Sequence, residues 1–126
     1  MILDTTVIID ILRGNKLVLE KVKDLEDKSV VLSTTSISVF EIWQGIKETE
    51  NEEKIQNFFE SINVFMFDIQ DAQEAGRIQA RLKKQGLIID PEDSMIAGIA
   101  KIHKESVLTK NIHHFERINN LKVESY

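Results

Sequence analysis

The sequence has 126 residues, enough for a single domain with one hydrophobic core. It contains no cysteine, which excludes disulfides, thiolate metal sites and cysteine nucleophiles. A formal net charge of −5 argues against a general nucleic-acid coat, whose affinity rests on phosphate neutralisation, but leaves room for a local basic patch. No apolar run approaches the ~20 residues of a membrane span. Asp4 interrupts the apolar start with no basic stretch before it, so no signal peptide is expected and a cytoplasmic location is. One proline and five glycines leave no low-complexity linker and no repeat, so residues 1–126 are expected to form one unit.

A short buried strand is expected at Met1–Leu3, ending on Asp4, with a helix over Thr5–Leu12 behind it. Asp4 has two readings there. It is an N-cap for the helix, or it lies beyond the carboxyl end of a sheet strand, where open α/β folds bind ligands. Val18, Val22 and Leu25 predict a helix over Lys16–Lys28, and the β-branched run Ser29–Ser33 predicts a second strand. Thr34, Thr35 and Ser36 offer caps for a helix from about Ile37 to Glu48. Thr49 and Glu52 have the spacing of a capping box, ahead of the stripe Ile55, Phe58, Phe59 and Ile62.

Strand three is expected at Asn63–Asp68. A helix over about Gln70–Gln85 turns Ala75, Ile78 and Leu82 inward and ends near Gly86. Its far side carries Arg77, Arg81 and Lys84, a solvated face or an RNA-contacting stripe. Asp90-Pro91 opens a helix through His103, with Ser106–Thr109 and Leu121–Glu124 as the last strands. Strands that alternate with helices and read as continuous apolar runs mean a parallel sheet covered on both faces.

Four polar residues fall where strands end or helices begin: Asp4, Glu41, Asp93 and Asn111. Asp93 lies beside Ile96, Ala97 and Ala100 on the edge of its helix's buried side. Asp90 can cap that helix alone, which frees Asp93 for another role. Glu41 points away from the centre of the stripe Val39, Phe40, Ile42, Trp43 and Ile46, as an ordinary exposed glutamate does. Asn111 after a strand is ordinary loop chemistry. His103, His113 and His114 lack the helical spacing of zinc motifs and read as loop or structural residues. Trp43 and Phe58 could serve an interface, but core packing is the simpler use of both. If Asp4, Glu41 and Asp93 converge, their repulsion calls for a hard divalent cation, Mg²⁺ or Mn²⁺, with oxygen ligands.

Taken together, Leu3-Asp4-Thr5, Ile9–Gly14, Glu41–Gly45, Asp93–Ala100, Leu108–Asn111, His114–Arg117 and Leu121–Val123 resemble the PIN-domain ribonucleases. More specifically, they resemble the VapC-type toxins of toxin–antitoxin pairs, in order along nearly the whole chain. The resemblance implies a doubly wound α/β/α sandwich with a short, mostly parallel central sheet of about five strands. It also implies a Mg²⁺- or Mn²⁺-dependent endoribonuclease leaving 5′-phosphate and 3′-hydroxyl ends. By resemblance, Asp4, Glu41 and Asp93 match the acidic metal positions. Asn111 matches the fourth catalytic position, where many relatives carry aspartate. Thr109 matches a hydroxyl beside the site, and Thr5, Thr6 and Arg13 are expected around the acids or against substrate. Arg77, Arg81, Lys84 and Lys110 are the candidates for steering RNA. The implied partners are RNA, a cognate antitoxin and a second copy of the chain.

Two other readings stand beside this one. A phospho-receiver domain would use Asp68 as acceptor and Thr109 as its hydroxyl partner, although only one acid ends the first strand and no proline follows Lys110. A catalytically silent binding module on the same fold is the other, kept open by Asn111.

Overall fold

The computed structural model describes residues 1–47 and 51–126. Along the chain run β1 (Ile2–Leu3), α1 (Thr5–Leu12), α2 (Lys16–Asp27), β2 (Ser33–Thr35), α3 (Ser36–Gln44) and α4 (Glu52–Glu60). They are followed by β3 (Asn63–Phe65), α5 (Ile69–Lys84), α6 (Pro91–Ile102), β4 (Val107–Leu108), α7 (Ile112–Phe115) and β5 (Val123–Glu124). The five strands pair in the order β3-β2-β1-β4-β5, every pairing parallel.

Successive side chains on a strand face opposite ways, so a strand of two residues serves both layers once. Ile2 and Val107 join the core under α5 and α6, with Ile78, Ile96, Ile99 and Phe115. Leu3 and Leu108 join the core under α1 to α4, with Val7, Ile8, Val18 and Ile55. Trp43 and Phe58 are partly buried against this second cluster, so packing is their use. The chain winds outward from β1 in both directions, which leaves a crevice beyond the carboxyl ends of β1 and β4. Asp4 follows β1 there, and Thr109 follows β4.

Four local expectations need correction. The second strand forms at Ser33–Thr35, not over Ser29–Ser33. Ser29 instead closes the end of α2, at φ 60° and with its N–H on the Glu26 carbonyl at 2.9 Å. The strand's polar residues tolerate burial because their hydroxyls are partnered; Thr34 Oγ1 donates to the Leu3 carbonyl at 2.9 Å. Second, α3 stops at Gln44 rather than running to Glu48. Glu48 and Thr49 lie outside the described residues, and with Thr49 goes half of the expected capping box; Asn51 caps α4, its side chain accepting from Lys54 N at 3.1 Å. Third, Asp90 stands at the N-cap position of α6 but makes no side-chain capping bond. Fourth, the loop after β4 contains a short helix, α7.

The expected end of α5 holds. Gly86 takes φ +72°, and Leu87 N reaches back to the Leu82 carbonyl at 2.9 Å while Gly86 N reaches that of Lys83 at 3.1 Å. That pair of bonds is the Schellman closure that glycine favours.

Candidate active site

Asp4 is 2% exposed at the carboxyl end of the central strand, and it is also the N-cap of α1. Its Oδ1 accepts from Thr6 Oγ1 at 2.6 Å and Val7 N at 3.2 Å, and its Oδ2 from Thr109 Oγ1 at 2.6 Å. Capping therefore occupies one oxygen. The other keeps a lone pair free of protein donors among the described residues. Burial pushes the Asp4 carboxyl above its ordinary range, against the lowering effect of the Thr109 and Thr6 hydroxyls and the Val7 amide.

Glu41 is half-buried rather than free in solvent, because α3 packs on α1 and Thr5 Oγ1 donates to Glu41 Oε1 at 2.7 Å. The helix wheel missed this, since it registers one helix's stripe and not a neighbour lying over its margin. Asp93, in the first turn of α6, is also half-buried, and its Oδ2 lies 3.0 Å from His114 Nδ1. Both carboxyls are raised chiefly by burial. Thr5 and His114 respectively oppose that, while the charges of Asp4 and Asp93 push Glu41 further up and those of Asp4 and Asp90 push Asp93. Glu41 thus lies within reach of the charges of Asp93 and Asp4, and Asp93 within reach of that of Asp4.

A tighter group overlaps them. Single ligand atoms of Asp90, Asp93 and His114 lie within 4.8 Å of one another. His114, read as a loop or structural residue, is therefore part of the site's surroundings. Its one-turn helix carries no periodicity that would reveal it; the only signal was the segment His114–Arg117 in the family resemblance.

Other expected residues divide. Thr109 is fully buried with its hydroxyl committed to Asp4, so it supports an acid and does not face substrate. Asn111 is exposed; its backbone N–H donates to Thr109 Oγ1 at 2.9 Å, and its side chain makes no capping bond. Lys110 is not a free cation, because its Nζ lies 3.0 Å from Asp10 Oδ2. The Asp10 carboxyl is held below its ordinary range by the Tyr126 hydroxyl and then by Lys110. On α5, Arg77 leans on Glu74 at 3.4 Å, while Arg81 and Lys84 are exposed. Arg13 lines a cleft of about 320 Å³ that opens beside Glu41, floored by Ile9, Leu12, Ile42 and Ile55. Asp68 is used as the cap of α5, in a reciprocal capping box with Asp71, and does not sit among the acids as a phosphoacceptor would.

Comparison with known proteins agrees with this fold. A ribonuclease VapC3 of Methanocaldococcus jannaschii is 38% identical over 99 residues, 78% of this chain and 95% of the relative. A tRNA(fMet)-specific endonuclease VapC of Shigella flexneri is 31% identical over 96 residues, 73% of each chain. Among solved structures, DNA-bound VapBC from Salmonella typhimurium superposes with a TM-score of 0.83 at 28% identity, covering 98% of this chain and 96% of that one. The sequence pattern of the PIN domain matches residues 1–121, and with the parallel sheet and the acids at its switch point the chain belongs to the PIN-domain family.

Proposed function

We propose that the protein is a divalent-metal-dependent endoribonuclease, the toxin of a toxin–antitoxin pair, with Asp4, Asp93 and Glu41 as metal ligands. One observation carries this reading. Three acids with raised pKa values gather at the end of β1, and among the described residues no lysine or arginine forms an ion pair with any of them. Carboxylates wholly or half withdrawn from water, as these are, favour a proton or a cation beside them. An all-oxygen carboxylate set suits Mg²⁺ or Mn²⁺.

When bound, such an ion lowers the pKa of water and stabilises charge on a phosphoryl group. The chain's own residues do the positioning. Thr6, Val7 and Thr109 fix the rotation of the Asp4 carboxylate, and Thr5 does the same for Glu41. His114 holds Asp93 at the start of α6. Arg13 stands where the cleft meets Glu41 and offers a guanidinium to an RNA phosphate. Asn111, neutral and exposed, is assigned to water or substrate rather than directly to metal. The cleft is also our candidate seat for the antitoxin, which would block the site by filling it. Phe40, 56% exposed on α3, is our candidate for self-association.

The test is RNA cleavage with product-end mapping. EDTA is expected to abolish cleavage and Mn²⁺ to restore it, with 5′-phosphate ends. Cleavage that survives both EDTA and Asp93→Asn overturns the assignment, and undetectable Mn²⁺ binding favours a silent module instead.

RNA steering has its own expected result. Arg13→Ala should lower the slope of log affinity against log salt by ~0.7, the share of one phosphate contact on a single strand. Arg77→Ala should change it little, since that guanidinium already leans on Glu74. Equal slopes for wild type and Arg13→Ala, measured by RNA titration in EDTA across salt concentrations, would remove Arg13 from the RNA path.

A further inference from the structure

Asp10 lies near the far end of α1, 6% exposed, and the mechanism above makes no use of it. Its Oδ2 accepts from Tyr126 Oη at 2.7 Å and from Lys110 Nζ at 3.0 Å. Lys110 is held at its backbone as well, its N–H donating to Thr6 Oγ1 at 3.2 Å. That same Thr6 hydroxyl donates to Asp4 Oδ1. On either side of Lys110 the bonds also lead to Asp4: Thr109 Oγ1 donates to Asp4 Oδ2, and Asn111 N donates to Thr109 Oγ1.

Helix α1 and the segment 109–111 are therefore fastened at two points, Asp4 at one end of the helix and Asp10 at the other. A helix is a rigid spacer, so the second fastening limits how the segment can rock about the first. Both hydroxyls that set the rotation of Asp4 depend on that segment, Thr109 as a member and Thr6 through the Lys110 amide. Tyr126, beyond β5, adds a third element to the joint.

We propose that Asp10, Lys110 and Tyr126 form a positioning device for Asp4, through which the segment beyond β5 sets how tightly the site holds its divalent cation. This rests on the metal reading above. The rival explanation is an ordinary stabilising ion pair with no effect on the acids.

Tyr126→Phe removes one hydroxyl and keeps the ring. Its Mn²⁺ affinity, by calorimetry, is expected to fall roughly three- to tenfold, below the 10–100-fold typical of residues bonded directly to a metal ligand. Amide exchange at Lys110 and Asn111 should quicken without metal, while the β1–β2 amides keep their protection. Asp10→Asn should act in the same direction, and in an Asp10→Ala background Tyr126→Phe should cost nothing more. Affinity within twofold of wild type overturns the proposal, whatever the exchange does. So does a loss of affinity matched by faster exchange across the whole sheet. Failure of the metal reading shows separately, as absence of Mn²⁺ binding by the wild type. In that case the metal-free exchange at Lys110 and Asn111 decides, with unchanged rates overturning the joint and locally faster rates retaining it as the support of Asp4.

Discussion

Asp4→Asn is expected to lower metal-dependent RNA cleavage at least ~10³-fold, equivalent to ~4 kcal/mol of lost transition-state stabilisation, while making the metal-free protein more stable at neutral pH. Asparagine keeps the shape and can still accept from Val7 and Thr6 through its one oxygen. Its amide can donate to Thr109 Oγ1, which the structure shows bonded to Asp4 Oδ2. What it loses is the negative charge. Burial raises the Asp4 carboxyl above its ordinary value, so the native state binds more protons than the unfolded one between that value and the raised one. Stability from this group is therefore fully present below pH ~4 and is lost as pH rises through the native pKa. Asp4→Asn has no such loss. The melting-temperature gap between variant and wild type in EDTA should open above pH ~4 and widen towards pH 7. Mn²⁺ should then stabilise the wild type at pH 7 and leave the variant unmoved. A variant less stable than wild type across that whole range would mean that capping, not ligation, is the main work of Asp4.

The fold was legible because its signals are local and repeated. Apolar runs bounded by polar turns mark β1 and β4, 3.6-residue stripes mark α2 and α5, and Gly86 marks a helix end. Ser33–Thr35 was not legible as a strand. Nothing in three hydroxyl residues says that they will sit between β1 and β3 with the hydroxyls of Ser33 and Thr34 satisfied by Asn63 and Leu3, far along the chain, and the same residues serve equally well as helix caps. Asp4 and Asp93 were legible through position, at a strand end and on a half-buried helix edge. Glu41 was not, since its burial comes from α1 and Thr5 rather than from its own helix. His114 and Asp10 escaped for a like reason. Each takes its role from a partner far away in sequence, Asp93 for the first and Lys110 with Tyr126 for the second, and a one-dimensional pattern carries no trace of such a pair.

Glycines divide the same way, and they give the largest expected effect on stability. Gly98 sits in α6 against α5, and a Cβ there would meet the Asp71 carbonyl oxygen at 2.7 Å, Ala75 N at 2.9 Å and Ala75 Cβ at 3.1 Å. Two of these are backbone atoms of a packed helix, which cannot swing aside as a long side chain does. Gly98→Ala gains up to ~1 kcal/mol of helix propensity. It must also push α5 and α6 apart, which opens the apolar layer of Ile78, Ile96 and Ile99 under them. Overpacking of this kind costs about 1–3 kcal/mol and sometimes more. We expect a net loss of ~2 kcal/mol or more, or a fall of roughly 6–12 °C in Tm. Gly76 supplies the control from the same helix pair, since a Cβ there meets nothing within 4 Å. Gly76→Ala should raise stability by ~0.5–1 kcal/mol, through propensity alone. The site reads the difference too. Asp93 rides on α6 one turn and a half before Gly98, so Gly98→Ala should weaken Mn²⁺ binding under conditions where the variant is fully folded, and Gly76→Ala should not. Calorimetric melts of both variants with a Mn²⁺ titration of each at 15 °C check this. Equal melting temperatures for the two alanine variants would show that α5 and α6 do not approach as closely as Gly98 requires.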